Sequence, residues 1–286
     1  MQKLLHLLSE SSSLPITTCD AIKPYTIDRP LNTYPDPDLI KHNKHADKEY
    51  LVEDEINIHD EFPFILNVTL EDYGLLEDNM FINDFDDGRG LTYNVIDYKE
   101  RLSTIEMRGV LTGSYAEIDL DAICRLNIEG ISKEDYEKLP LHETLAIEAY
   151  LLEQEASYKM AFFTYFSAAE AIVRLKTDQI KLEIYPELEH AIEHLPLTDK
   201  VRIAAKHTFE TAQLDTLPLW GGLMGLVKDC NSIRNEIAHG LIRRSLTSED
   251  VAEAAACYIV LKQALINGLS SMPKIVKIYK PQKRRR

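Results

Sequence analysis

The chain has 286 residues and a formal net charge of −15. That length accommodates two domains, each with its own hydrophobic core. No apolar run reaches the ~18 residues of a transmembrane helix, and the N-terminal segment lacks a secretory or transit pattern, so we expect a cytoplasmic protein with no membrane partner.

The charge is distributed unevenly along the chain. Residues 1–140 contain 13 Lys and Arg against 29 Asp and Glu, a net −16, whereas the remaining residues have a net +1. An acidic surface repels nucleic acid, so an RNA partner would have to approach the C-terminal half. Cations are concentrated near the C-terminus: Lys274, Lys277, Lys280, Lys283, Arg284, Arg285 and Arg286. Such a tail can follow a phosphate backbone, although a solvated, disordered chain end explains it equally well.

The N-terminal half predicts a small α+β domain. A short amphipathic helix is expected from Met1 to about Ser11, and the Pro- and Asp-rich residues 12–60 predict loops with short elements. Apolar or alternating runs between turn residues then predict four or five strands of a largely antiparallel sheet: FPFILNVTL, NMFIND, LTYNVIDY, LSTIEMRGVLTG and SYAEIDLDAICRLNIEG. We therefore predict an acidic domain over residues 1–138, with a sensor or regulatory role.

Neither a calcium-like loop nor the cysteines have the spacing of a metal site. The segment 83–88, NDFDDG, resembles a calcium loop, but Phe85 falls at a ligand position and Asn94 at the position of the terminal glutamate. The four cysteines have no CxxC spacing and predict buried free thiols: Cys19, Cys124, Cys230 and Cys257. We expect no metal and no cofactor.

The C-terminal half predicts an all-α bundle. The polar connector ISKEDYEKLP, residues 131–140, marks the domain boundary, and no Gly or Pro occurs from His142 to Lys176. That stretch predicts one long helix or two with a bend. Further helices are predicted between Pro186 and Pro196 and over three longer runs: LTDKVRIAAKHTFETAQL, PLWGGLMGLVKDCNSIRNEIA and SEDVAEAAACYIVLKQALINGLSS. Short connections predict a bundle over residues 139–272, followed by a basic tail over residues 273–286.

The segment Ser232–Gly240, SIRNEIAHG, combines Arg234, Asn235 and His239. Arg234 lies on a stripe of apolar residues at helical spacing: Leu223, Val227, Cys230 and Ile237. A charge on an apolar face needs a partner or a ligand, because burying it unpaired is very costly. His239 follows five residues later, off the face of the arginine in an ideal helix, and the glycine after it is a predicted helix stop.

These residue types suit a phosphodiester. Histidine takes or gives a proton near neutral pH, arginine holds a phosphate through two N–H groups, and asparagine donates to a phosphate or a base. The segment therefore predicts phosphodiester chemistry that needs no metal.

The segment IRNEIAHG resembles the signature of the HEPN superfamily (higher eukaryotes and prokaryotes nucleotide-binding), an arginine followed by a polar residue and, a few residues later, a histidine. The earlier helix MAFFTYFSAAEAIVRLK, Met160 to Lys176, is similar to the aromatic-rich helix ending in Ala-x-Glu-Ala of its Apea-like, abortive-infection-related branch. Glu170 lies on the face of that helix marked by Phe163, Phe166 and Val173, which makes it the natural partner of Arg234. The resemblance covers roughly residues 140–272.

The resemblance implies a compact helical bundle that acts as a metal-independent endoribonuclease, with a composite site at a homodimer interface. The catalytic residues would be Arg234, Asn235, His239 and Glu170, and the products would end in a 2′,3′-cyclic phosphate. The substrate would be RNA, including transfer RNA, in the setting of a toxin or a phage-defence effector with a protein regulator or antitoxin. Candidate RNA contacts are the nearby and C-terminal cations: Arg243, Arg244, Lys280, Lys283 and Arg284.

Three alternatives remain open from the residues. The arginine can instead pair with Glu170 only to close a core, with the histidine capping the last carbonyls of its helix. Some HEPN branches are non-catalytic dimerisation or nucleotide-binding modules. A zinc metallopeptidase is the third, because His190, Glu193 and His194 match the H-x-x-E-H pattern, although the flanking prolines allow only a short helix.

Overall fold

The computed structural model describes residues 1–31, 49–77, 80–82, 90–112, 122–241 and 244–280. It divides the chain into two compact units. One is Asp20–Lys138, and the other joins Met1–Cys19, which contains helix α1 (Gln2–Glu10), to Leu139–Arg286. The first is built mainly from strands and the second from helices, so the α+β class predicted from the sequence is confirmed. No helix in the described parts of the chain has the length and apolar character needed to span a bilayer.

The unit Asp20–Lys138 contains strands that pair only in antiparallel fashion among its described residues. The strands are β1 (Lys23–Pro30), β2 (Glu49–Asn57), β3 (Phe64–Glu77), β4 (Met80–Ile82), β5 (Gly90–Lys99), β6 (Thr104–Thr112) and β7 (Ala122–Ile131). A short helix, α2 (Lys133–Glu137), follows the last strand, with Ser132 as its N-cap. The antiparallel pairing agrees with the prediction, and β6 and β7 show the alternation of buried and more exposed residues that is typical of such strands.

The strands form two sheets rather than one. A four-stranded sheet has the order β1-β7-β3-β4, and a three-stranded sheet has the order β2-β6-β5. Side chains from both sheets share one core, in which Cys124 of β7 lies 4.0 Å from Met107 of β6 between their sulfur atoms. The arrangement is a β-sandwich, which corrects the single sheet expected from the sequence.

Two of these strands lie within residues 12–60, where the sequence predicts mainly loops. β1 begins and ends beside prolines, Pro24 and Pro30, which an edge strand tolerates because one side of its backbone needs no ladder partner. In β2 the apolar residues Val52 and Ile56 point into the core while acidic residues occupy the outer face. The predicted strand over SYAEIDLD and the calcium-like segment 83–88 lie outside the described residues.

The helical unit is built from α1 and the helices that follow the sandwich. They are α3 (Leu141–Gln154), α4 (Tyr158–Lys181), α5 (Pro186–Glu193), α6 (Leu197–Thr208), α7 (Trp220–Ala238), α8 (Ser248–Leu261), a π-helical turn (Lys262–Ile266) and α9 (Met272–Tyr279). α8 contributes strongly to the core, since nine of its 14 residues are buried. Its N-terminus at Thr247 has a capping box with Asp250, one position before the N-cap predicted at Ser248.

Residues 1–19 belong to the helical unit, which corrects the predicted first domain of residues 1–138. Leu4 and Leu8 of α1 are buried there. The Nζ atom of Lys262 donates to the Thr18 carbonyl at 3.2 Å and to the carboxylate of Glu143 at 2.7 Å. The two side chains of this ion pair are only 7% and 15% exposed. No local pattern predicts such contacts, because Lys262 lies 244 residues along the chain from Thr18 and 119 residues from Glu143.

The predicted basic tail of residues 273–286 is not a solvated end throughout. Its first part forms α9, an amphipathic helix whose Ile275, Val276 and Tyr279 are buried in the unit. The Tyr279 hydroxyl accepts a hydrogen bond of 2.9 Å from the Gln263 side chain. The apolar residues between the lysines therefore decide the structure of this segment, and residues 281–286 lie outside the described part of the chain.

Candidate functional site

The candidate site lies at the C-terminal end of α7. All four residues of its predicted apolar stripe are buried: Leu223, Val227, Cys230 and Ile237. The helix ends in a Schellman motif, in which Gly240 has a φ of +67° and the Leu241 N–H bonds to the Glu236 carbonyl at 2.8 Å. Packing of the stripe thus fixes one face of the helix, and the glycine turn fixes where the helix stops.

The Arg234 guanidinium is partly buried and weakly held. Its Nη2 atom lies 3.5 Å from Oε2 of Glu170, and its Nη1 atom lies 3.2 Å from Oδ1 of Asn235. Its carbon centre lies 5.4 Å from the centroid of the Phe163 ring, within range of a cation–π contact. The Nε atom is buried and has no hydrogen-bond partner among the described residues.

These contacts leave the guanidinium with unused donors. Arginine has five N–H groups, and the described hydrogen bonds of Arg234 use two of them at long distances. The Nε atom is enclosed by the protein, but the Arg234 side chain as a whole is 31% exposed, so its remaining Nη donors are open to an anionic ligand. The site is therefore suited to an anion that approaches the end of α7.

Glu170 on α4 is the acidic partner predicted for Arg234. Its side chain is 30% exposed, and burial raises the pKa of its carboxyl group, while the charges of Arg234 and Lys200 oppose that rise. Sequence reasoning did not find Lys200, because a lysine on the amphipathic helix α6 gives no signal that separates it from surface lysines. The structure thus gives the carboxylate two neighbouring cations where the sequence indicates one.

His239 is the C-cap residue of α7, and its side chain is exposed, like that of Asn235. Its backbone N–H bonds to the Asn235 carbonyl at 3.0 Å, and its imidazole has no hydrogen-bond partner among the described residues. Five helical residues separate it from Arg234 by ~7.5 Å along the axis and ~140° around it. Within one copy the imidazole is free to meet a ligand or a second chain.

A groove of ≈ 570 Å³ opens beside Glu170 in the helical unit, and we call it the Glu170 groove. It runs between α3, α4, α5 and α6. Its apolar wall includes Leu141, Leu145, Ile192 and Leu197, and Glu170 and Lys200 are among its charged residues. Since Glu170 also contacts Arg234, the groove and the guanidinium adjoin one carboxylate.

The predicted RNA-binding cations do not form one patch among the described residues. Arg244 makes two hydrogen bonds of 2.6 Å with the Asp250 carboxylate, so it is committed to the first turn of α8. Lys280 lines a separate cavity between α1 and α9. Arg243, Lys283 and Arg284 lie outside the described residues.

The H-x-x-E-H pattern lies on α5 and its C-cap. The rings of His190 and His194 pack edge to face, with centroids 4.3 Å apart and an angle of 79° between their planes. Glu193 accepts a hydrogen bond of 3.1 Å from Lys181, which lowers the pKa of its carboxyl group and occupies one of its two oxygens. No group of three or more metal-ligating side chains occurs in the described parts of the chain.

Comparison with known proteins identifies no relative of the chain. No protein-family model matches it, and no match was found among curated proteins or solved structures.

Proposed function

We propose that this protein is a metal-independent endoribonuclease of the HEPN type, whose site is centred on Arg234 and His239. The observation that carries the proposal is the partly buried guanidinium of Arg234, with unused donors, at the same helix end as an exposed imidazole without a described partner. A buried arginine placed only for packing would have its donors paired. An arginine with unused donors, at the helix end that also carries an exposed histidine, suits a phosphate that reacts.

The chemistry uses the ribose 2′-hydroxyl as the nucleophile. His239 takes the proton of that hydroxyl, the oxygen attacks the adjacent phosphorus, and the bond from phosphorus to the 5′-oxygen breaks. Arg234 neutralises the charge that develops on the phosphoryl oxygens, and Asn235 positions the phosphate. Glu170 is a positioning residue, because it contacts Arg234 rather than the reacting atoms. The products carry a 2′,3′-cyclic phosphate and a 5′-hydroxyl, and DNA is not cut because it lacks the nucleophile.

The leaving 5′-oxygen needs a proton, which favours a homodimer. One copy supplies His239 as the base, and His239 of the partner subunit, or a water, supplies the acid. The exposed end of α7 offers a surface for this pairing, since Leu241 beside the histidine is 65% exposed. Two copies packed about a two-fold axis would place two Arg234/His239 pairs in one cleft.

The proposed setting is the cytoplasm of a cell under attack. The protein would act as a toxin or abortive-infection effector on cellular RNA, including transfer RNA. The acidic sandwich would sense a trigger or bind a protein regulator or antitoxin. No membrane takes part in the proposed mechanism.

The test is cleavage of end-labelled total RNA and transfer RNA in EDTA, with analysis of the product ends. We expect cyclic-phosphate ends from the wild type and none from Arg234→Ala or His239→Ala. Matched controls are Arg202→Ala and His207→Ala, which remove an exposed arginine and an exposed histidine of α6 in the same unit. Both controls should cut like the wild type.

Two outcomes would contradict the proposal. Cleavage that persists in His239→Ala would exclude this mechanism. A stable dimer in sedimentation experiments, without cleavage or toxicity on expression, would favour the non-catalytic dimerisation or nucleotide-binding module instead.

A further inference from the structure

The Glu170 groove has the size and lining of a small-molecule site. Its volume of ≈ 570 Å³ falls within the ~300–1,000 Å³ typical of ligand pockets, and such pockets combine apolar walls with a few polar groups. Leu141 in its lining is 62% exposed, so this part of the apolar wall is open to the face of a planar ligand.

Several polar side chains of the groove are already occupied. Ser167 and Thr177 donate to backbone carbonyls of their own helix, at 2.9 and 3.0 Å. The Nζ atom of Lys181 lies 3.0 Å from Asp178 and 3.1 Å from Glu193, so both of its acidic neighbours hold it. These groups stabilise the walls and have little capacity left for a ligand.

Glu170 and Lys200 retain capacity. A carboxylate has about four acceptor positions, and the described hydrogen bonds of Glu170 use one of them, on the oxygen that faces Arg234. Lys200 gives one of its three N–H donors to the Glu193 carbonyl at 2.8 Å and forms no ion pair among the described residues. The groove therefore offers an acceptor pair and a cationic donor to the same ligand.

We propose that the Glu170 groove binds a guanine base of the RNA, with Glu170 accepting from its N1–H and N2–H groups and Lys200 donating to its O6 atom. Among the four RNA bases, guanine alone presents two adjacent donors beside an acceptor on its Watson–Crick edge. Adenine, cytosine and uracil each present a single donor group on that edge. RNA-binding proteins commonly read this edge on unstacked bases, and a lysine is a known partner of guanine O6.

The inference rests on the proposed function, because it takes the phosphate beside that base to lie on Arg234. The contact between Arg234 and Glu170 supports this geometry, since one carboxylate adjoins both the groove and the guanidinium. An RNA strand with a guanosine in the groove would then carry the phosphate of a neighbouring nucleotide to the reacting end of α7. The groove would select where the RNA is cut.

The first experiment measures binding of guanosine, adenosine, cytidine and uridine monophosphates to the full chain by calorimetry. We expect guanosine monophosphate to bind about tenfold more tightly than the others, and this preference to fall to less than threefold in Lys200→Gln. Lys206→Gln is the matched control, because Lys206 is an exposed lysine of the same helix outside the groove lining, and it should keep the preference.

A second groove variant keeps the test informative if Lys200→Gln does not fold. Ala171 on α4 is half-buried and lines the groove, so Ala171→Leu narrows the groove without changing a charge. It should weaken guanosine monophosphate binding while the circular dichroism spectrum stays unchanged. Equal binding of the four nucleotides, no measurable binding, or a preference unaffected by both groove variants would overturn the inference.

Cleavage assays separate this inference from the proposed function. Oligonucleotides with a single guanosine, and the same sequences with adenosine in its place, are compared for cleavage by the wild type. Cleavage with no base preference would overturn the groove assignment and leave the ribonuclease intact. Guanosine monophosphate binding that depends on Lys200, in a protein that cuts no RNA, would support the groove and contradict the ribonuclease.

Discussion

Replacing Arg234 by methionine should lower cleavage strongly without a large loss of stability. The ion pair with Glu170 has a separation of 3.5 Å and both side chains about 30% exposed, so its loss costs about 0–1 kcal/mol. Loss of the contact with Phe163 costs about 0.5–1 kcal/mol more. Removing the buried Nε donor without a partner recovers about 1–3 kcal/mol. The net change therefore lies between a loss of about 1 kcal/mol and a gain of about 2.5 kcal/mol, so no large loss of stability is expected.

The buried ion pair of Lys262 with Glu143 provides the internal comparison. Its atoms lie 2.7 Å apart and its side chains are largely buried. Lys262→Met would leave the glutamate buried without its partner, which costs about 3–5 kcal/mol. If Arg234 were a structural arginine like Lys262, the two methionine variants would lose similar amounts of stability.

Urea unfolding followed by tryptophan fluorescence measures this difference. Trp220 is the single tryptophan of the chain and begins α7 in the helical unit, so its signal reports on the unit that contains both residues. Cleavage by Arg234→Met should fall by about 10²–10³-fold. A loss of more than about 2 kcal/mol in this variant, approaching that of Lys262→Met, would refute the reasoning and assign the arginine to the core.

Three further predictions concern the helical unit. Gly240→Ala should lower the free energy of unfolding by about 1 kcal/mol, because φ is +67° at this residue. Gly225→Ala, inside α7 at a position that faces open space, should raise it by about 0.5–1 kcal/mol. Urea unfolding followed by fluorescence compares the two variants, and equal effects would contradict the Schellman turn. Burial raises the pKa of Glu153 to about 7 from an ordinary value of 4.5, so the folded protein favours the protonated carboxyl group. The stability that this protonated group contributes is fully present below pH 4.5 and is lost as the pH rises through 7. Glu153→Gln should therefore gain about 2 kcal/mol relative to the wild type between pH 5 and pH 8, and parallel pH profiles would exclude this assignment. The double variant Glu143→Gln with Lys262→Met should recover most of the stability that Lys262→Met loses, and additive losses in unfolding would show that the two residues do not interact.

The helical part of the fold is largely predictable because its signals are local. Apolar spacing places α7, and the glycine after His239 marks the end of the helix. The same spacing turns Arg234 and Glu170 inward, so that their contact follows from two separate helical patterns. Each of these inferences uses only residues within a few turns of one helix.

The sandwich and the groove depend on contacts that no short window contains. β1 begins and ends beside prolines that argue against a strand, and only its pairing with β7, about a hundred residues later, stabilises it. The division of the strands into two sheets is likewise set by pairing across the chain. Lys200 acquires its place beside Glu170 only because α6 packs on α4.

The sandwich is inserted in the chain between α1 and the other helices of the helical unit, so the helical unit is translated in two separate parts. α1 is translated before the sandwich, whereas α8 and α9, on which it packs, are translated after it, as are Lys262 and Tyr279, which hydrogen-bond to Thr18. The sandwich is contiguous from Asp20 to Lys138, so it can fold while α1 is the single described helix of the helical unit that has been made. A ribosome that stops before α8 would therefore release a folded acidic sandwich without α8 and α9. Under the proposed function, the sensor would then be present without the complete toxin.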